Sequence, residues 1–135
     1  MERFVRNFIV MSIVYLALAS LIGIIMLASP SHLYLRFVHS HLNMLGWVSM
    51  MIYGVGYHIL PRFAGKRLKS NKLGEIHFYL ANIGLAGMLL FYTLQTVDTK
   101  KTIYSGLSTA FGFIEAFSIF LFFYNMMATL FSKEE

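Results

Sequence analysis

Three histidines stand in one apolar stretch, His39 to Pro61 (HSHLNMLGWVSMMIYGVGYHILP), and a fourth, His77, opens a later one. Ionisable residues inside a membrane segment are costly and by default mark function. His39 and His41 are two positions apart. On a helix that spacing sets them about 200° apart around the axis and about 3 Å apart along it, so they point to opposite sides at similar depth. Chelating one ion from one helix asks instead for spacings of three or four residues. The pair is better placed to serve two sites, one on each flank of the helix. Neutral imidazole is a common axial ligand of haem iron, and the reading here is that at least one of His39 and His41 ligates haem. The alternative is that one or both bond to backbone or water at the membrane interface.

The remaining polar groups of the apolar stretches are few. His58 lies 17 positions beyond His41, about 25 Å along a helix axis, and cannot share an iron with the pair. His77 falls on the same side as His58, and the two could bind a metal ion or a second haem. The competing reading is two interfacial histidines bonded to loops, with Glu75 nearby. Glu115 is the one carboxylate deep in a span (GFIEAFSIF). It is either a protonated acid hydrogen-bonded to a neighbouring helix or a proton-relay group. Arg36, one turn outward from His39, could pair with haem propionates or mark the interface. Asn43, Trp47 and Tyr53 share the His39 helix and could contact a macrocycle.

Composition sets the surroundings of these residues. Of 135 residues, 58% are hydrophobic and 13% charged, about half the charged share of roughly 25% in globular domains. This predicts a membrane protein in contact with lipid. The chain has no cysteine, which excludes disulfides, Cys-ligated zinc, iron–sulfur clusters and haem attached through CxxCH. The net charge of +5 is not a nucleic-acid signature, because the basic residues sit at the ends of apolar runs, where topology signals sit.

Four apolar spans are expected, as helices over about 8–28, 33–61, 75–96 and 102–131, in one transmembrane domain covering 1–135. The first is about 20 residues long, beyond the 7–15 residues of a signal-peptide core, so it is read as retained. Pro30 and Ser31 make the first turn, RFAGKRLKSNK the second and QTVDTKK the third, and Pro61 stops the second helix. Connections this short make successive helices antiparallel neighbours. The expected fold is therefore an all-α, integral membrane four-helix bundle. Arg3, Arg6, Arg62, Lys66, Arg67, Lys69, Lys72 and Lys133 share one side, against Arg36, Lys100 and Lys101 on the other. The positive-inside rule then places both termini in the cytoplasm, in a bacterial or archaeal inner membrane.

The segment HSHLNMLGWVSMMIYGVGYHILPRFAG resembles the haem-bearing helices of subunit I of the haem-copper oxidases, closest to the cytochrome c oxidases and nitric oxide reductases that use b-type haem. The likeness rests on the His-x-His pair, His39 and His41, on the HLN run that follows, and on the YHILPRF ending. It covers mainly residues 36–65. In that family the two histidines of such a pair face different haems. The family's large subunit has twelve helices in three pseudo-repeats of four, whereas this chain has four spans and no consecutive His-His pair for copper. The resemblance thus implies haem b, with Arg36, His39, His41, Asn43 and Trp47 around it, and not a binuclear centre.

It also implies an assembly. Four helices are one third of twelve, so a homotrimer would rebuild the ring, with a dimer as the alternative. The functional expectation is a membrane cytochrome that transfers electrons. The alternatives are a non-catalytic accessory or assembly subunit of a respiratory complex, or a haem or metal sensor or carrier that uses His58 and His77.

Overall fold

The computed structural model describes residues 1–98 and 102–132. Lys100, Lys101, Lys133 and Glu135 lie outside the described residues. Among those described, every regular element is helical. They are α1 (Arg3–Ala28), a 3-10 segment (Pro30–Leu35), α2 (Arg36–His41), a π segment (Leu42–Ser49), α3 (Met50–Phe63), α4 (Asn71–Val97) and α5 (Ile103–Leu130). Helices α1, α4 and α5 are each long and apolar enough to cross a membrane. Their outward faces carry large apolar side chains such as Ile24, Ile83, Phe113 and Phe120, which suit lipid rather than water. The molecule is an all-α membrane bundle.

In place of one helix over about 33–61, the chain is helical without a break from Pro30 to Phe63 and changes kind three times along the way. Pro30 does not make a turn. It occupies the first helical position, where its missing N–H has no partner to lose and its fixed φ suits the helix. Pro61 does not stop the helix either. It is buried inside the last turn of α3, and the helix runs on to Phe63. A proline there forfeits one backbone bond, and the actual stop comes from Gly65 at φ 66°. Lys66 N–H bonds the Pro61 carbonyl at 2.8 Å and Gly65 N–H bonds that of Arg62 at 3.0 Å. This is the two-bond closure that a left-handed glycine permits.

Packing divides the bundle into two pairs. Helix α1 lies along the π segment and α3, and α4 lies along α5; contacts of α4 with α1 and α2, and of α3 with α5, join the pairs. Glycines set the close approaches, Gly46 and Gly84 among them. A methyl added at Gly46 would stand 2.7 Å from Tyr15 Cβ, and one at Gly84 would stand 2.6 Å from the Glu115 backbone nitrogen. Small residues at such positions let membrane helices pack through dispersion contacts. The loop before α4 is held from α5. Asn125 receives Ser70 N–H at 3.1 Å and donates to the Ser70 carbonyl at 2.8 Å, and Thr129 Oγ1 accepts from Lys69 N–H at 2.9 Å. Ser70 then caps α4 by accepting from Leu73 N–H.

Candidate functional site

His39 and His41 both lie in α2, the regular α-helical turn before the π segment, and they do face different neighbours. His39 is half-buried against α1. Its Nδ1 lies 2.9 Å from the Ala19 carbonyl, and its ring sits where a methyl on Gly23 would come within 3.0 Å of Cε1. His41 lies toward the α4 side. Its ring is 3.8 Å, centroid to centroid, from Phe37, which stacks at 3.9 Å on Tyr92 of α4. Its Nδ1 lies 2.9 Å from the Phe37 carbonyl one turn back.

These two hydrogen bonds decide the tautomers. A carbonyl oxygen only accepts, so Nδ1 carries the proton in both neutral rings, and in both the lone pair is left on Nε2. Histidines that bind metal commonly hold the other ring N–H on a carbonyl or carboxylate in this way, which fixes the ring and raises the basicity of the ligating nitrogen. Asn43 stands at the open nitrogen of His39. Its Nδ2 donates to the His39 carbonyl at 2.9 Å and lies 3.4 Å from His39 Nε2, too long for a strong bond. Arg36 is exposed and lines a cleft of about 500 Å³ with Phe37, Ser40 and Tyr92. Trp47 is on the π segment, with its ring toward the outside.

The same test gives a different answer for His58. Arg62 Nη1 lies 2.6 Å from His58 Nδ1 and also bonds the His58 carbonyl. A guanidinium only donates, so Nδ1 accepts and the proton of the neutral ring is on Nε2. His77 is fully buried, with Nδ1 3.1 Å from the Tyr57 hydroxyl and Nε2 without a hydrogen-bond partner. Its ring is enclosed by Phe8, Tyr53 and Phe122 at centroid distances from 4.6 to 5.8 Å. No hydrogen bond or ring contact joins His58 to His77. Among the described residues, no group of three or more His, Cys, Asp or Glu is placed to hold a metal ion.

Glu115 is 2% exposed, and neither carboxyl oxygen has a hydrogen-bond partner. The carboxyl is within electrostatic reach of the Tyr15 and Tyr53 hydroxyls, and Tyr15 in turn donates to Asn82 Oδ1 at 2.8 Å. The Tyr15–Asn82 bridge and the Tyr57–His77 bond are polar links that sequence reasoning missed. So was His32, whose Nδ1 is buried without a partner. Tyrosine in an apolar helix reads equally as lipid contact, and nothing local in the sequence marks which tyrosines turn inward.

Residues 3–97 match the family described as Cytochrome C and Quinol oxidase polypeptide I. The chain belongs to this family. The match takes in α2 with both histidines and ends with α4, leaving α5 and Glu115 outside it. Among curated proteins, the chain is 31% identical over 120 residues to cytochrome c oxidase subunit 1 of Corynebacterium glutamicum, covering 76% of this chain and 20% of that one. It is 28% identical over 120 residues to the subunit of the same name from Corynebacterium diphtheriae, covering 76% and 21%. A shorter likeness, 43% over 47 residues, is to the Cbb3-type cytochrome c oxidase subunit CcoN1 of Stutzerimonas stutzeri, covering 34% and 10%. The chain thus spans about a fifth of the Corynebacterium subunits it matches. No solved structure matches it. It is an integral membrane protein of a haem-binding oxidase family.

Proposed function

We propose that the chain is a membrane cytochrome that binds haem b through His39 and His41 and transfers electrons. The observation that carries this reading is the pair of Nδ1 bonds, to the Ala19 and Phe37 carbonyls, which leave both lone pairs on Nε2, with only a long 3.4 Å approach of Asn43 Nδ2 to that of His39. Residues of this chain therefore fit an axial-ligand role. Haem b, when bound, supplies a one-electron iron couple whose potential is set by its ligands and their hydrogen bonds. The chain's own part is to hold two imidazoles in fixed tautomers, to offer Arg36 to a propionate, and to shield the His41 ring with Phe37. His58 stands outside the site because Arg62 occupies its Nδ1. His77 stands outside it because it is enclosed in the core.

His39 and His41 lie on opposite flanks of α2, so a single copy does not bring both to one iron. In a ring of three copies, each boundary receives His39 from one chain and His41 from its neighbour, and cyclic homo-oligomers close in this way. Both termini lie in the cytoplasm on this reading, and the pair lies toward the outer face. Glu115, buried and within electrostatic reach of Tyr15 and Tyr53, couples proton uptake to the redox change.

The test is the visible spectrum of the detergent-solubilised protein, with native mass spectrometry of the same sample. Sharp reduced bands of a six-coordinate, low-spin haem, one haem per chain and a trimer mass are expected. His39→Ala and His41→Ala should each abolish that spectrum. A variant that keeps it at full haem content would refute shared ligation. A colourless wild-type protein would favour a non-catalytic accessory or assembly subunit.

A further inference from the structure

A cleft of about 380 Å³ opens at the end of the bundle where α1 and α4 begin and α3 ends. Arg62, Lys66 and Arg67 line it, against Glu2 as the one carboxylate in the lining. Lys66 Nζ is engaged by the Leu130 and Ser132 carbonyls at the end of α5. Arg67 is exposed and has no hydrogen-bond or ion-pair partner among the described residues. His58, also in the lining, accepts from Arg62 at Nδ1 and so brings an N–H donor at Nε2. Asn71 and Phe4 belong to the first turns of α4 and α1, whose free amides carry the positive end of the helix dipole. The donors thus outnumber the acceptors, and the local charge is positive.

The floor is of the opposite character. Phe4, Val5 and Pro61 are buried there, and Leu68 is half-buried beside them. The cleft sits at the level where the apolar helices stop, which in a bilayer is the headgroup region. A small soluble anion would use the donors and leave the apolar floor unmatched. A phospholipid matches both, with its phosphate on the rim and the start of its acyl chains on the floor. Basic pockets between membrane helices bind anionic headgroups by this chemistry. We propose that this cleft binds the phosphate headgroup of an anionic phospholipid in the adjoining leaflet. The inference does not depend on haem.

Delipidated full-length protein in micelles containing equal phosphatidylglycerol and phosphatidylcholine provides the test, with retained lipid read by native mass spectrometry. Retention of phosphatidylglycerol several-fold over phosphatidylcholine is expected. Arg67→Gln should cut that preference about fivefold, the weight of one basic residue at a membrane surface. Arg67→Lys should keep most of it. Lys72→Gln removes a charge just outside the cleft and should leave the preference unchanged. Arg67 is a loop residue without a partner among the described residues, so its variants should retain wild-type helix content by circular dichroism. Equal retention of the two lipids, or an Arg67→Gln variant that behaves as wild type, would overturn the proposal. Release of the lipid by millimolar inorganic phosphate would also overturn it and assign the cleft to a soluble anion.

Discussion

The Nδ1 atom of His39 lies 2.9 Å from the carbonyl oxygen of Ala19, so the imidazole of one helix is oriented by the backbone of another. The contact depends on Gly23, one turn further along α1, leaving room for the ring. Gly23→Val should push the ring off the Ala19 carbonyl. Loss of such an orienting bond typically costs about tenfold or more in metal affinity. Haem titration of the purified variant should show that loss, while Gly106→Val, at a position with open space around it, should bind as wild type. Equal affinities would detach the Ala19 bond from ligation.

Glu115→Gln tests proton coupling. The amide matches the carboxyl in size, so the bundle and haem content should be unchanged. The pH dependence of the haem midpoint potential, measured by redox titration at several pH values, should flatten. An unchanged slope would leave Glu115 with a structural role.

Asn125→Ala tests the pinning of the loop between α3 and α4. The substitution strands Ser70 N–H and leaves the Ser70 carbonyl with the Gly74 N–H alone, both groups being bonded to this buried side chain in the wild type. Stranding a buried backbone group costs about 2 kcal/mol, so thermal unfolding in detergent should move down by several degrees. A melting temperature equal to wild type would show that water replaces the side chain there.

The orientation is open to reporter fusions. A cytoplasmic reporter fused at Glu135 should be active, and a periplasmic one inserted within residues 98–101 should be active as well. Active alkaline phosphatase at Glu135 would invert the molecule and bring the histidine pair to the inner face.

The all-helical membrane architecture was legible in the sequence because apolar runs of about 20 residues have one common use. Helix ends were less so. Pro61 looked like a stop because proline breaks helix interiors, but in a last turn it costs one bond, and Gly65 decides the end. The π segment was not legible at all. Eight residues are too few for a changed period to appear in hydropathy. The burial of Glu115 was foreseeable from its lack of polar neighbours in sequence. The tautomers of His39 and His58 were not foreseeable, because one is set by a carbonyl on another helix and the other by which way Arg62 turns. Likewise, the shared side of His58 and His77 followed from position, but the packing of Tyr57 onto His77 depends on rotation about the axis.

The wide turns from Leu42 to Ser49 separate two ends of one helical run. Asn43 closes their start by donating to the His39 carbonyl, and Ser49 closes their finish by donating to the Met44 carbonyl five residues back at 2.8 Å. Because each turn there holds more residues than an α-turn, the stretch adds an angular offset between α2 and α3. Rewinding it as ordinary α-helix would rotate the His39 and His41 azimuths while leaving Tyr57 and Arg62 in place. The stretch therefore works as a phase shifter. It lets the His39 end of the run be aimed at its flanks independently of how the Tyr57 end is seated in the aromatic core.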